Sequence, residues 1–300
     1  MPRWSVVMPV RDGEAFVGRA VSSVLATLPA DAEFRVMDDA SSDRTPEILA
    51  AAAARDTRVV LHRHDRSAGV AASLNELIES GDSAFVGRMD ADDVCLRGRW
   101  QRGEHLLRAH DMAFMSILFI DASGRPRGTD QPGSFSAAAI PFHLLLGSML
   151  VHPTAMMRRD AIQTMGGYRN IAAEDYDLWL RAATAGQRLI RSLSVGLLYR
   201  RHDQQVTKSS PWRADRVGSP MWESYRALAQ MLEIDLGEDG ALASHAMLDT
   251  EQLSRPAAAL RHEVLDRIQA TAEERLAMVD NAQLRWRLAR ERRRVDARLA

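Results

Sequence analysis

The sequence predicts an α/β fold: a Rossmann-like, mainly parallel sheet with helices on both faces, followed by a helical carboxy-terminal extension. Three observations carry that expectation. Short apolar, strand-like runs alternate with amphipathic helical segments up to about residue 120. The strand-like runs end in acidic or polar residues, and beyond Pro211 strands give way to helices alone. Repeated βα units of this kind pair their strands in parallel and lay the helices over the sheet.

Residues 5–8 form the first apolar strand, which ends at Met8-Pro9-Val10 and turns at Arg11-Asp12-Gly13. A helix then spans 14–28, with Phe16, Ala20, Val24 and Leu28 recurring every four residues on one face. A second strand covers 33–37. Ser41-Ser42-Asp43 cap a helix that begins at Thr45 with Pro46 in its first turn. A third strand, 58–62, is followed by a helix that Gly69 opens and that runs to Glu79. Residues 84–89 read as a fourth, buried strand. A helix to about His110 and a hydrophobic strand at 113–120 come next. The Gly- and Pro-rich stretch 121–136 reads as a loop, 173–185 as a helix carrying Glu174, Asp175 and Trp179, and 194–199 as the last strand. The boundary falls near residue 210, separating an α/β domain (1–210) from helices over 211–300.

Composition narrows the function classes. With 300 residues, 46% of them hydrophobic, the chain can bury one sizeable core and carry an appendage. A net charge of −1 provides no global field for nucleic acid. The single cysteine, Cys95, excludes an internal disulfide or a Cys-rich zinc site and reads as buried filler. The chain enters its first strand without a basic-then-apolar leader, and no apolar run reaches the ~18 residues of a membrane span. The expectation is a protein of a reducing compartment, the cytoplasm.

The most informative local feature is Arg88-Met89-Asp90-Ala91-Asp92-Asp93, three carboxylates in four positions at the end of an apolar strand. Carboxylates held this close repel one another and raise each other's pKa. A hard divalent cation with a polyphosphate removes the conflict, because Mg²⁺ or Mn²⁺ takes carboxylate and phosphate oxygens together. In open α/β sheets the carboxyl edge of the strands is also where ligands bind. An EF-hand reading fails, since the sixth position from Asp90 is Cys95 and the twelfth is Gln101. Asp38, at the end of the second strand, can accept from a pyrimidine imide N–H or from ribose hydroxyls, or it can cap the next helix; Asp43 suits the capping role.

Taken in order, these patches resemble glycosyltransferase family 2, the inverting transferases of GT-A fold. The resemblance covers about residues 4–208 and runs through five segments. They are Val6 to Glu14 with Val36 to Thr45, Ala68-Gly69-Val70-Ala71-Ala72-Ser73-Leu74-Asn75, the Asp90 cluster, Gly166-Gly167-Tyr168-Arg169 with Ala173 to Arg181, and Tyr199-Arg200-Arg201-His202. It implies that Pro9, Val10 and Asp38 line the base pocket and that Arg88 and Asp90 approach the donor. Asp92 or Asp93 would ligate Mn²⁺ or Mg²⁺ on the diphosphate, with His202 as a further ligand. Asp175 would be the general base; the residues themselves read Glu174 as contacting acceptor or backbone, and Trp179 as a packing residue or, alternatively, a platform for a sugar face. The implied partners are a nucleotide-diphosphate sugar, with UDP favoured by Asp38, and a saccharide or lipid-linked acceptor in cell-surface polysaccharide or glycolipid synthesis. The sequence departs from the family at Arg11-Asp12, where Tyr-Asn is usual, at Ala40 in place of a common glycine, and at Ser67 and Leu74. His152 reads as structural.

Alternatives from other classes are a catalytically inactive transferase-like scaffold and a nucleotidyltransferase. The latter is disfavoured by the poor phosphate loop at Val10-Arg11-Asp12-Gly13. The segment 281–300 carries seven arginines against Glu291 and Asp296, with Leu284, Leu288, Val295 and Leu299 near one face. That helix suits contact with an anionic membrane surface, pairing with another helix or a second copy of the chain, or a solvated extension.

Overall fold

The computed structural model describes residues 1–130, 133–203, 220–237 and 254–299. The expected boundary near residue 210 lies outside them. The chain divides into two compact units. The first comprises Met1–Ser134, Leu150–Asn170 and Ile190–Ser209, and the second comprises Phe135–Met149, Ile171–Leu189 and Ser210–Ala300.

The first unit is built on a mixed sheet. Strands β1 (Trp4–Val10), β2 (Ala32–Asp38), β3 (Val59–Arg63) and β4 (Phe85–Arg88) are parallel in the order β3-β2-β1-β4. Their connections hold helices α1 (Val17–Leu25), α2 (Thr45–Ala53) and α3 (Val70–Glu79). β1 is buried along its whole length, as a central strand flanked on both sides must be. Val17, Ala20, Val21 and Val24 of α1 are buried with Met8, Phe34 and Val36 in the main core. These are the elements whose periodicity the sequence displays.

Beyond β4 the sheet becomes antiparallel. It adds β8 (Met156–Arg158), β6 (Met112–Asp121), β9 (Leu189–Arg201) and the two-residue β5 (Val94–Cys95), while β7 (Pro126–Thr129) pairs with β6. The 121–136 stretch is therefore not all loop: Gly124 sits at φ +91° in the turn of a β6–β7 hairpin. Helices α4 (Arg99–Leu107) and α6 (Arg159–Thr164) complete the unit. Gly87 in β4 lets Trp100 of α4 lie flat on the strand, since a Cβ there would meet the indole at 2.5 Å.

The second unit is helical. It contains α5 (Ile140–Leu144), α7 (Glu174–Thr184), α8 (Pro220–Met231), α9 (Arg255–Arg275) and α10 (Met278–Asp296). α7 packs on α8, and Ser224 donates to buried Asp177 at 2.7 Å. Tyr176 and Tyr225 donate to the carbonyls of Leu144 and Leu145 at the end of α5, Tyr225 at 3.1 Å. α9 and α10 pack together, with Ala258 against Val295 and an Arg261–Glu291 ion pair of 3.5 Å. Arg287 of α10 donates to the carbonyls of His143 and Leu146. The apolar face formed by Leu284, Leu288 and Val295 is thus buried within the chain, whereas Met278, Val279 and Trp286 are exposed. Among the described residues no helix is long and apolar enough to cross a membrane.

Candidate active site

Parallel β2, β1 and β4 finish on one edge, in register Val10↔Asp38 and Val7↔Arg88. The turns that follow are stitched to one another. Asp12 N–H donates to Ser41 Oγ at 2.9 Å, Gly13 N–H to Thr45 Oγ1 at 2.8 Å, and Ser42 N–H to Asp12 Oδ1 at 2.8 Å. Asp43 caps the next helix, accepting from Thr45 N–H at 2.9 Å. Pro9 and Val10 are buried at this edge. Asp12 and Ala40 adopt left-handed backbone, with φ of +49° and +59°. The place where relatives commonly hold glycine therefore demands glycine's conformation, and Ala40 bears the strain.

Asp38 and Asp39 differ sharply in their surroundings. Asp38 Oδ1 accepts from Ser41 N–H at 3.0 Å, and Oδ2 faces Arg63 Nη1 at 3.2 Å. Asp39 accepts from Ala68 N–H, Gly69 N–H, Ser67 Oγ and His64 Nδ1 at 2.7–3.0 Å. Burial opposes its charge, but these donors win and hold its pKa at about 2. Asp39 fastens the glycine-led start of α3 to β2, a role adjacent carboxylates in the sequence do not announce.

The acidic loop lies between β4 and β5. Because β5 pairs antiparallel with β9 in register Val94↔Leu198, residues just before Val94 meet residues just after Leu198. Arg200 N–H donates to Asp93 Oδ1 at 2.8 Å, and His202 Nε2 lies 2.9 Å from Asp92 Oδ2. Arg200 Nε donates to the Asp92 carbonyl at 2.8 Å, and its Nη1 donates to the carbonyls of Asp121 and Ala122 at 3.1 Å. Phe16 stacks beneath this corner, 4.8 Å from the His202 ring and 4.9 Å from the Arg200 guanidinium carbon. Sequence reasoning did not find Arg200 or Phe16, since their roles depend on the β5–β9 pairing.

Asp90, Asp92 and Asp93 each offer an oxygen, and these lie within 4.8 Å of one another. Asp93 is 1% exposed and its Oδ2 has no hydrogen-bond partner. Burial, followed by the charges of Asp90 and Asp92, raises its pKa well above the usual carboxylate value. Burial raises Asp90 too; there Arg88, 2.5 Å away, opposes the shift and Asp92 adds to it. Three hard oxygens in a cleft that disfavours their joint ionisation, one of them orphaned, fit a divalent cation, and the imidazole of His202 stands beside them. Arg88, expected to meet the donor, is buried and directed to Asp90 and to the Met89 carbonyl. His152 is half-buried, desolvation and the charge of Arg88 hold its pKa well below the ordinary histidine value, and its Nε2 lies 3.0 Å from the Tyr168 hydroxyl.

In the second unit, Glu174 and Asp175 open α7 and are half-buried. Ala173, just before them, has φ +60°, and Tyr176 N–H donates to Asp175 Oδ1 at 2.7 Å. Acidic side chains in a first turn are favoured by the helix dipole. Trp179 is 0% exposed, so its ring presents no face to a sugar; the expectation of acceptor contact gives way to a packing role, dictated by its position on the inner side of α7.

Comparison with known proteins agrees with this architecture. The family model described as glycosyl transferase family 2 matches residues 5–166. EpsE of Bacillus subtilis, named as a glycosyltransferase, is 30% identical over 62% of this chain and 69% of its own length. The amylovoran biosynthesis glycosyltransferase AmsE of Erwinia amylovora is 27% identical over 55% of this chain and 63% of its own length. Among solved structures, Staphylococcus aureus TarS 1–349 in complex with UDP-GlcNAc superposes with a TM-score of 0.63 at 14% identity, covering 99% of this chain and 91% of that one. That similarity speaks for the GT-A fold.

Proposed function

This chain belongs to glycosyl transferase family 2, and from that premise we propose that it is an inverting, metal-dependent hexosyltransferase. It moves a sugar from a UDP-sugar to a hydroxyl of a saccharide or lipid-linked acceptor in cell-surface polysaccharide or glycolipid synthesis. The observation that carries this reading is the gathering of Asp90, Asp92 and Asp93 within 4.8 Å, with His202 beside Asp92.

Asp92 and Asp93 would hold Mn²⁺ or Mg²⁺, with His202 as a further ligand, and an ion held there would supply Lewis-acid stabilisation for the nucleotide diphosphate leaving group. Asp90, already tied to Arg88, faces the donor ribose. Pro9, Val10 and Asp38 form the base pocket. Asp175 takes the acceptor proton as the acceptor oxygen bonds to the anomeric carbon and the bond from that carbon to the phosphate oxygen breaks. Glu174 lies on the acceptor side. Support for a nucleotide sugar comes from the GT-A likeness and from a neighbour solved with UDP-GlcNAc; support for the polysaccharide setting comes from the relatives' names. The protein works in the cytoplasm at the inner face of the membrane. Exposed Met278, Val279 and Trp286 on the Arg-rich α10 favour that placement.

A screen of nucleotide-diphosphate sugars by calorimetry with Mn²⁺, followed by donor hydrolysis, tests the reading. UDP-sugars are expected to bind only with metal, and Asp92→Asn to abolish that binding. Failure of every sugar nucleotide to bind would favour the inactive scaffold instead.

A further inference from the structure

The outward side of α10 joins apolar residues to basic ones. Val279, Ala282, Trp286, Arg290 and Arg293 follow one another at intervals of three or four, so they line one face of the helix. Leu284, Leu288 and Val295 take the opposite, buried side. Met278, Val279 and Trp286 are 86%, 72% and 52% exposed, which is unusual for side chains of this kind on one short stretch. The Arg290 guanidinium carbon lies 5.8 Å from the Trp286 ring, which joins the apolar and basic halves of the row. The outward row holds no acid, and each acid of α10 is engaged elsewhere. Asp280 accepts from Ser136 Oγ at 2.8 Å, Glu291 pairs with Arg261 at 3.5 Å, and Asp296 lies 3.1 Å from His262 Nε2.

These facts separate the occupants such a face could have. The surface of α10 suited to helix pairing is already used inside the chain, against α9. Three exposed apolar side chains fall far short of the ~800 Å² per partner that a stable protein interface buries. A bilayer surface asks for less, because an aromatic ring settles at headgroup level and each arginine gains separately from the lipid phosphates. We propose that this face of α10 docks on anionic phospholipid headgroups. Met278, Val279 and Trp286 enter the interface, and Arg290 and Arg293 meet the phosphates. The inference deepens the placement at the inner face of the membrane given above, and rests on it.

The test is flotation of the full chain with vesicles of phosphatidylcholine alone or mixed with phosphatidylglycerol, at low and high salt. Circular dichroism melts confirm that each variant folds. The wild type is expected to float with the mixed vesicles only, and to be released by salt. Arg290→Gln with Arg293→Gln should weaken that binding by about 25-fold, about fivefold per arginine. Trp286→Ser should weaken it by about tenfold. Calorimetry of UDP-sugars with Mn²⁺ should read the same in all of them. Recovery of the wild type in the unbound fraction with mixed vesicles would overturn the proposal, as would variants that float like the wild type. A dimer in sedimentation that Trp286→Ser dissociates, without vesicle binding, would give the face to a second copy instead. Vesicle binding as expected with no sugar nucleotide bound would sink the transferase reading and leave this one standing.

Discussion

Asp39→Asn should destabilise the protein far more than its position at a strand end suggests. The carboxylate accepts four hydrogen bonds, two from the backbone of Ala68 and Gly69 and two from Ser67 and His64. An asparagine keeps one oxygen and turns an NH₂ group toward donors that then have no acceptor. The size follows from the pKa. Burial pushes Asp39 up, the donors pull it down further, and the result is about 2 against an ordinary 3.8. That gap corresponds to roughly 2–3 kcal/mol of folding stability at neutral pH. Because the folded value lies below the unfolded one, the contribution is complete above about pH 4 and fades as pH falls toward about 2. His64 runs the opposite way. Asp39, and to a lesser degree Glu76, raise its pKa, so its contribution is complete below the ordinary histidine value and is lost as pH rises through the folded one. The two windows do not overlap. Guanidinium unfolding of wild type and Asp39→Asn at several pH values reads both terms. The variant should lose about 2 kcal/mol or more at pH 7, and the difference should shrink between about pH 4 and pH 2. A loss under about 0.5 kcal/mol, or a difference that ignores acid, would refute the latch between β2 and α3.

Three further substitutions probe separate links. Asp175→Asn should leave UDP-sugar binding intact and lower transfer by about 10²–10⁴-fold, the usual contribution of a general base; unchanged single-turnover rates would remove it from that role. Ala40→Gly should raise the unfolding free energy by up to about 1 kcal/mol, because it relieves a left-handed alanine at φ +59°; a lower denaturation midpoint would contradict the strain. Gly87→Ala should cost about 1–3 kcal/mol, since the new methyl meets the Trp100 ring, and a thermal melt within error of wild type would show that α4 moves aside freely.

The parallel half of the sheet was readable because its signals are local. Apolar runs of four to seven residues, separated by helices with a four-residue apolar repeat, specify β1 to β4 and α1 to α3 with little help from distant contacts. The antiparallel half was not readable in the same way. β5 has two residues and β8 three, too short for any alternation to register, and they exist only because β9 and β4 offer them edges. β7 hides in a segment whose glycines and prolines read as loop, since this strand is exposed along its length and carries no apolar pattern. The same limit governs the site. The acidic cluster is contiguous in sequence and was visible, and His202 was placed beside it only through the family resemblance, whereas Arg200's hold on the loop required knowing which distant strand pairs with β5. Trp179 shows what spacing alone leaves open: four residues after Asp175 on one helix, it reads as packing or as sugar-stacking, and its complete burial favours packing.

The acidic loop also explains how the fold tolerates its own charge. Three carboxylates this close would oppose folding if the surrounding chain gave them no compensation. The protein answers from inside: Arg88 is buried against Asp90, the Arg200 backbone N–H binds Asp93, and the Arg200 side chain ties the Asp92 carbonyl to those of Asp121 and Ala122. Asp92, whose carboxylate is 28% exposed, is engaged by the imidazole of His202. Of the buried contacts, the one to Asp90 comes from a guanidinium, which stays protonated near neutral pH, whereas the one to Asp93 comes from a backbone N–H. Asp90 and Asp92 are alike in exposure, at 28% each, and differ in partner: a buried guanidinium for Asp90 and the His202 imidazole for Asp92.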